Sequence, residues 1–232
     1  LIPELKIAIE YNGLYWHSEE FLTNNYHLDK TETCEKIGYR LIHIFEDEWV
    51  ENQPIVKSRL NNLLGLSSRL YGRKCDIRVV NPSIKKTFLN ENHIQGDCKS
   101  KINLGLYYDN ELVSLMTFGK RPILNPHEWE LIRFCNKINL TVVGGASKLF
   151  KHFTKTYKPN EVVSYADRRW SDGRLYHNLG FDFMHNTRPN YFYIVNKTRV
   201  NRFKYQKHKL VMDGFDINQT EHEIMLSRGL FR

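Results

Sequence analysis

The chain has 232 residues, of which 41% are hydrophobic and 13% aromatic, and its formal net charge is +8. This composition is typical of a folded protein and excludes a disordered tail. The sequence contains no run of about 18 apolar residues, which excludes a membrane-spanning helix, and no signal peptide is visible. We therefore expect a cytoplasmic protein that does not bind membranes.

Charge is distributed unevenly along the chain. Residues 1–70 contain 7 basic and 11 acidic side chains, so the positive charge is concentrated in the rest of the chain. An acidic segment followed by a basic one is typical of a metal site presented beside a polyanion, because acids bind cations and basic groups neutralise phosphates. A basic domain without a nucleic-acid partner is the alternative. The four cysteines are scattered and form no C-x-x-C pair, which disfavours a zinc site.

The first 66 residues predict strands that alternate with helices. Hydrophobic strands are expected over residues 5–10 and 40–45. Apolar residues at helical spacing predict one helix that ends at Gly38 and another over residues 55–66. This order predicts a small α/β unit.

Acids, histidines and a lysine surround the ends of these two predicted strands. They are Glu10, His17, His27, Lys30 and Glu46. Carboxylates bind hard cations such as Mg²⁺, histidines transfer protons, and a lysine stabilises charge on a phosphate. Each residue alone has an ordinary alternative role, as a solvated acid or a half-buried histidine. Their order along the chain favours a metal-dependent phosphodiesterase.

This arrangement resembles the very-short-patch-repair-like branch of the PD-(D/E)xK nucleases, which includes the EDxHD homing endonucleases of phage type. In that branch a strand runs into a glycine that is followed by aromatic residues and a histidine, as in the segment from Gly13 to His17. A later strand ends in an aromatic residue and Glu, as at Phe45 and Glu46. The resemblance covers roughly the first 65 residues.

The resemblance implies a Mg²⁺-dependent endodeoxyribonuclease that acts on double-stranded DNA in a bacterial or phage-infected cell, with no small-molecule substrate. Glu10 and His17 would bind the metal ion, His17 and His27 would act as general acid and base, and Lys30 would stabilise charge. The family usually has Asp at the position of His27. Its main metal-binding Asp precedes the segment that begins with Leu1 here, so we expect that Asp upstream of Leu1.

The second part of the chain predicts a different α/β domain. Residues 67–80 predict a linker that ends as a strand. Residues 81–195 predict, in order, a helix, an antiparallel hairpin with its turn at Asp109-Asn110, a strand, a glycine-rich turn into a helix, a strand, a short helix and final strands. This order resembles the N-acetyltransferase-like fold, in which the glycine-rich turn binds the diphosphate of acyl-CoA. The matching positions are Gly144, Gly145 and Ala146.

Two basic segments are predicted to contact DNA. One follows a predicted strand, and the other lies in a C-terminal extension over residues 196–232, which begins with a run of basic residues that contains no acid. Basic side chains neutralise phosphates, and an aromatic ring can stack on a base. The predicted contacts are Arg168, Arg169, Trp170, Lys197, Arg199, Arg202, Lys204 and Lys207. A solvated charged face is the alternative.

The predicted fold class is therefore α/β (α+β), with a partial PD-(D/E)xK core over residues 1–66 followed by an N-acetyltransferase-like mixed sheet. The predicted function is a metal-dependent, site-specific homing endonuclease. Two alternatives remain. One is an acyl-CoA-dependent N-acetyltransferase, which is disfavoured because Thr141 stands where the diphosphate turn of that family has Gln or Arg. The other is a nucleic-acid-binding module without catalysis.

Overall fold

A computed structural model describes residues 1–16, 25–120 and 128–232. Over these residues the chain forms eleven β-strands and eight α-helices, arranged in several small sheets and one five-stranded sheet. The predicted mixed α/β class is confirmed. Within the same described residues, no helix combines the length and the apolar character that are needed to cross a bilayer.

The chain divides into two compact units. Unit 1 contains residues 1–51 and 185–232, and unit 2 contains residues 52–184. These boundaries differ from the predicted ones at 66, 80 and 195. The reason is that the C-terminal segment packs with the N-terminal one, while the helix predicted over residues 55–66 packs with unit 2.

Unit 1 begins with two parallel strands joined by a helix. Strands β1 (Ile7–Asn12) and β2 (Arg40–Phe45) pair in parallel, and α1 (Tyr26–Lys36) lies between them in the chain and packs against β2. Parallel strands need such a crossover, and burial on both faces explains the continuous apolar sequence of β2. The short helix α2 (Glu46–Glu51) follows β2 directly.

The C-terminal segment of unit 1 forms a hairpin and two short helices. Strands β10 (Phe192–Val195) and β11 (Thr198–Asn201) are antiparallel and are joined by Asn196 and Lys197, whose φ angles are 50° and 61°. Positive φ at both central residues is the geometry of a type I′ turn, which suits the twist of a hairpin.

Two helices cover this hairpin. They are α7 (Lys207–Met212) and α8 (Glu221–Ser227), and α8 begins with a capping box formed by Thr220 and Glu223. The helices bury apolar side chains against the hairpin in a small core. The fully buried members of this core are Tyr193, Leu210, Ile224 and Met225.

The strands of unit 2 are β3 (Ser68–Tyr71), β4 (Asp76–Val79), β5 (Ile102–Tyr108), β6 (Glu111–Lys120), β7 (Glu128–Asn136), β8 (Leu140–Val143) and β9 (Glu161–Ser164). Five of them form a mixed sheet with the order β4-β5-β6-β7-β9. The helices of unit 2 are α3 (Gln53–Leu63), α4 (Pro82–Asn92), α5 (Gly145–Tyr157) and α6 (Arg174–Asn178). The predicted hairpin is confirmed as β5 and β6, with positive φ at Asp109 and Asn110. Strands β3 and β8, which form a separate parallel pair, were not predicted.

Helix α5 closes the main core of unit 2. Its inner face places Leu149 and Phe153 against the sheet, and the ring of Phe153 stacks on that of Phe118 from β6. All three side chains are fully buried. The four cysteines are free thiols, in agreement with the lack of paired spacing in the sequence.

Strands β7 and β9 are paired over only part of their length. Strand β9 pairs in parallel with residues 128–131 of β7, and the pairing ends at Leu131 and Ser164. The register between β6 and β7 shifts at the same level, because Arg133 pairs with Thr117 while Leu131 pairs with Phe118. Ile132 is therefore an extra residue in β7, and such a bulge bends the strand that carries it.

The buried amide of Asn92 holds the end of α4 against the chain that leaves β7. Its Oδ1 accepts a hydrogen bond from the backbone N–H of Ile138 at 2.7 Å, and its Nδ2 donates to the carbonyl of Phe88 at 2.8 Å. We expect Asn92→Ala to lower the unfolding free energy by about 1–3 kcal/mol, because it leaves the partly buried N–H of Ile138 without an acceptor.

Urea denaturation followed by circular dichroism measures this effect. The matched control is Glu91→Ala, which changes the exposed neighbour on the same helix and should stay within about 0.5 kcal/mol of the wild type. Equal stabilities for the two variants would contradict the role given to Asn92.

Candidate metal centre

Three side chains of unit 1 converge from consecutive elements. Glu10 on β1, His27 on α1 and His43 on β2 each offer a ligand atom, and these atoms lie within 4.8 Å of one another. The parallel register places Glu10 opposite His43, and the first turn of α1 brings His27 to the same place. A carboxylate and two imidazoles are a common ligand set for a divalent metal ion.

The hydrogen bonds around His43 define which ring nitrogen carries a proton. Its side chain is 1% exposed. The hydroxyl of Thr31 donates its single hydrogen to the carbonyl of His27 at 2.8 Å. The Nε2 of His43 lies 2.8 Å from the same Thr31 oxygen. His43 Nε2–H must therefore donate to Thr31, since a hydroxyl has only one hydrogen to give.

The other nitrogen of His43 faces the candidate site. In the neutral ring Nδ1 carries a lone pair, and it lies 3.2 Å from Asn12 Nδ2 and 3.2 Å from Glu10 Oε2. The Oε2 atom is buried and makes no hydrogen bond with the described residues. A lone pair beside a carboxylate oxygen is unfavourable unless a positive charge lies between them or on the ring. His43 Nδ1 and Glu10 Oε2 are therefore suited to bind a cation together.

Lys30 holds the other oxygen of Glu10. Its Nζ pairs with Glu10 Oε1 and lies 3.4 Å from the hydroxyl of Tyr26, one helical turn earlier on α1. The hydrogen bond from Lys30 to Glu10 is the main cause that raises the pKa of Lys30, while partial burial opposes it. Lys30 therefore stays protonated near neutral pH. It can stabilise negative charge, but it cannot act as a base.

The structure brings together three of the predicted catalytic residues, Glu10, His27 and Lys30. His17, the fourth, lies outside the described residues. Glu46 is not one of the three converging side chains. Its Oε2 accepts a hydrogen bond from the backbone N–H of Leu14 at 3.0 Å and so holds the turn that follows β1.

Sequence reasoning missed His43. Strand β2 is otherwise apolar on both sides of this histidine, from Leu41 to Phe45, and its interior residues are buried. A polar ring in a buried parallel strand needs partners there, and this was the available signal. This pattern does not identify the partner of His43. Only the pairing of β1 with β2 places His43 beside Glu10.

Arg199 is a structural residue of unit 1 rather than an exposed one. Its Nε lies 2.9 Å from Asp47 Oδ1, its backbone N–H donates to Asp47 Oδ2 at 3.0 Å, and its Nη2 lies 2.8 Å from Glu48 Oε1. The side chain is 12% exposed. The guanidinium also lies 3.9 Å from the centre of the Phe45 ring, which packs edge-on against His27. The prediction that Arg199 is exposed for DNA is wrong, because two buried carboxylates bind it.

The other predicted DNA contacts fall into two groups. Trp170 is 4% exposed, so its ring is not available to stack on a base. Arg169 is paired with Asp167 at 2.8 Å, and Arg202 donates to the hydroxyl of Tyr191 at 3.1 Å. Arg168 is half-buried in the same segment as Arg169. Exposed lysines form the second group: they are Lys197, Lys204 and Lys207.

The glycine-rich turn of unit 2 lies against the backbone at Gly72. Gly144 has φ 73° and precedes α5, which begins with Gly145 and Ala146. A Cβ placed on Gly72 would lie 3.1 Å from the backbone nitrogen of Gly145. Lys148 fastens this contact by donating to the carbonyls of Gly72 and Cys75 at 3.0 and 2.5 Å. The backbone nitrogen of Gly145, which would face a diphosphate, therefore lies close to Gly72.

Comparisons with known proteins give little further information. No protein-family model matches the chain, and no curated protein matches it significantly. Among solved structures, the chain is similar to a ribosomal-protein-alanine N-acetyltransferase from Brucella melitensis biovar Abortus 2308, with 16% identity and a TM-score of 0.39. The similarity covers 51% of this chain and 99% of that chain. A likeness at this TM-score carries no inference about activity.

Loss of the Arg199 side chain should destabilise unit 1. Arg199→Ala leaves the buried carboxylates of Asp47 and Glu48 without their cation, so we expect the unfolding free energy to fall by about 3–5 kcal/mol. The matched control is Lys207→Ala, which removes an exposed cation from the same segment. Urea denaturation of both variants gives the comparison, and an Arg199→Ala chain as stable as the control would exclude a structural role.

Proposed function

We propose that this chain carries the metal centre of a metal-dependent phosphodiesterase that acts on DNA as an endonuclease. The observation that carries the proposal is the convergence of Glu10, His27 and His43, with Lys30 bound to Glu10. A carboxylate, imidazoles and a fixed ammonium group are suited to hydrolysis at a phosphate.

The three converging side chains would hold the metal ion. Glu10 would bind it through Oε2 and His43 through Nδ1, because these are the atoms that face each other, and His27 would complete the ligand set. When bound, the ion supplies a Lewis acid for the phosphate and lowers the pKa of a bound water molecule.

Further residues of the chain orient this site and add charge. Thr31 fixes the ring of His43 by accepting from Nε2–H, which is the usual support for a ligating imidazole. Lys30 keeps a positive charge beside Glu10 and would stabilise the negative charge that develops on the phosphate.

The donor set bears on the identity of the metal ion. The sequence predicts Mg²⁺, which prefers oxygen ligands and keeps several water molecules. Two imidazole nitrogens favour a softer ion, and Mn²⁺ accepts both imidazole and carboxylate ligands. We therefore propose that Mn²⁺ binds this centre more tightly than Mg²⁺.

DNA is the proposed substrate because the chain is basic and exposes lysines in unit 1. The net charge of +8 favours a polyanion, and Lys204 and Lys207 are exposed. Acyl transfer, the alternative function, depends on the turn before α5, and the packing of Gly72 on Gly145 disfavours a diphosphate there.

Metal binding by the chain tests the centre directly. We expect His43→Ala to weaken Mn²⁺ binding by about tenfold or more, because loss of a ligand costs at least as much as loss of a supporting contact. Isothermal titration calorimetry measures the affinity. His208→Ala, which removes an exposed histidine of α7, should bind Mn²⁺ like the wild type. Equal affinities for all three proteins would refute the centre.

DNA cleavage by the full-length protein tests the activity. With supercoiled plasmid and Mn²⁺ or Mg²⁺, we expect Glu10→Gln and Lys30→Met to reduce the rate of nicking by about 10²-fold or more, since each removes a charge next to the phosphate. Lys204→Met is the control for loss of an exposed lysine. Undiminished nicking by Glu10→Gln would show that the activity lies elsewhere.

A further inference from the structure

Two segments of unit 2 contain basic side chains and no acidic ones. Residues 52–75 include five Lys or Arg residues and no Asp or Glu, and the same is true of residues 137–160. The whole chain has 34 basic and 26 acidic side chains, so acids would be expected in both segments. Positive charge is therefore concentrated in these two parts of unit 2.

The fold places the two segments side by side. Strand β3 belongs to the first segment and pairs in parallel with β8, which belongs to the second. Helix α3 leads into β3 and also contacts β8, while α5 follows β8 and contacts the 3₁₀ turn Gly72–Lys74 that follows β3. The two acid-free segments are therefore neighbouring parts of one region of unit 2.

The pair of strands β3 and β8 has one buried face and one exposed face. Leu70 and Val142 are partners in the register and pack in the main core of unit 2. Arg69 and Tyr71 flank Leu70 in the chain and are exposed, as expected for alternating positions of a strand. The guanidinium of Arg73 lies 5.1 Å from the centre of the Tyr71 ring. Two arginines and a tyrosine are thus presented to solvent together.

Helix α5 adds lysines beside this exposed face. Lys148, Lys151 and Lys155 lie on one side of the helix, because residues three and four positions apart are neighbours on a helix. Lys148 Nζ donates to the carbonyl of Gly72 at 3.0 Å. This side of the helix therefore begins next to the turn that contains Arg73, and it continues with Lys151 and Lys155, which are exposed.

Five exposed basic residues of this region form what we call the cationic face, which consists of Arg69, Arg73, Lys74, Lys151 and Lys155. Within the described residues, none of the five has an ion pair or a side-chain hydrogen bond. Other basic residues of the two segments are engaged, since Lys137 pairs with Glu111 and Lys148 binds backbone carbonyls. Like charges that are brought together without acids attract a polyanion.

We propose that the cationic face binds the phosphate backbone of double-stranded DNA. The seven positions from Lys148 to Lys155 extend about 10 Å along the helix. Phosphates of one strand follow one another at about 3.4 Å along the duplex axis, so the face can contact more than one of them. Phosphate contacts carry no sequence information directly, so we expect binding by this face to be independent of sequence.

The choice of DNA among polyanions rests on the proposed function. The cationic face itself lies in unit 2 and contains no residue of the candidate metal centre. Binding by this face and metal binding by unit 1 can therefore be measured separately.

The test is the salt dependence of DNA binding without metal ions. A labelled duplex is titrated with the chain in EDTA at several salt concentrations, and fluorescence anisotropy reports binding. We expect the double variant Lys151→Gln, Lys155→Gln to bind unrelated duplexes more weakly by the same factor. It should lower the slope of log affinity against log salt by about 1.8, which is about 0.9 for each phosphate contact. Changing both lysines to Arg keeps the charges and should keep the slope.

Arg73→Gln tests the strand side of the cationic face independently. We expect it to lower the slope by about 0.9, because it removes one phosphate contact. The matched control is the double variant Lys86→Gln, Lys101→Gln, which removes exposed lysines on α4 and just before β5. This control should bind DNA like the wild type. Circular dichroism verifies that each variant is folded.

Three outcomes would overturn the proposal. The first is an unchanged slope and affinity for the folded Lys151→Gln, Lys155→Gln protein, and the second is an equal loss in the control. The third concerns lipid phosphates: if the double variant loses binding to vesicles of phosphatidylcholine and phosphatidylserine but binds the duplex normally, the assignment to DNA is wrong. Because EDTA removes metal ions, failure in these titrations leaves the metal centre of unit 1 untouched, and loss of Mn²⁺ binding leaves the cationic face untouched.

Discussion

The parallel pairing of β1 with β2 is the constraint on which the candidate metal centre depends. It sets Glu10 opposite His43, and a shift of one residue would turn one of the two side chains to the other face of the sheet. The buried Asn12, which also contacts His43, resists such a shift because its amide would lose its partner. The crossover helix then adds His27 and Lys30 from a single face, since positions three apart are neighbours on a helix.

The C-terminal segment supports this centre from within the same unit. Arg199 binds the carboxylates of α2, and α2 begins at the residue that follows β2. Its guanidinium lies against the ring of Phe45, which in turn contacts His27. The segment that the sequence suggests as a DNA-binding extension is therefore also part of the packing behind a candidate ligand. Exposed side chains of the same segment, such as Lys197 in the hairpin turn, remain available to solvent.

The sequence predicts the local elements well and the long-range partners poorly. Strand β2 and the hairpin of β5 and β6 follow from apolar pattern and turn residues, because these signals are contained in a few neighbouring positions. His43 and the burial of Arg199 depend on register and on contacts between distant segments, such as Arg199 with Asp47. The pairing of β3 with β8 likewise joins residues about 70 positions apart, and local pattern carries no information about it.

The role of Arg199 shows why charge in a sequence is ambiguous. Arg199 stands in a run of basic residues without acids, yet in the fold it faces Asp47 and Glu48 and is neutralised by them. What decides the role of a guanidinium is the number of carboxylates that reach it, since a paired cation is structural and an uncompensated one attracts an anion.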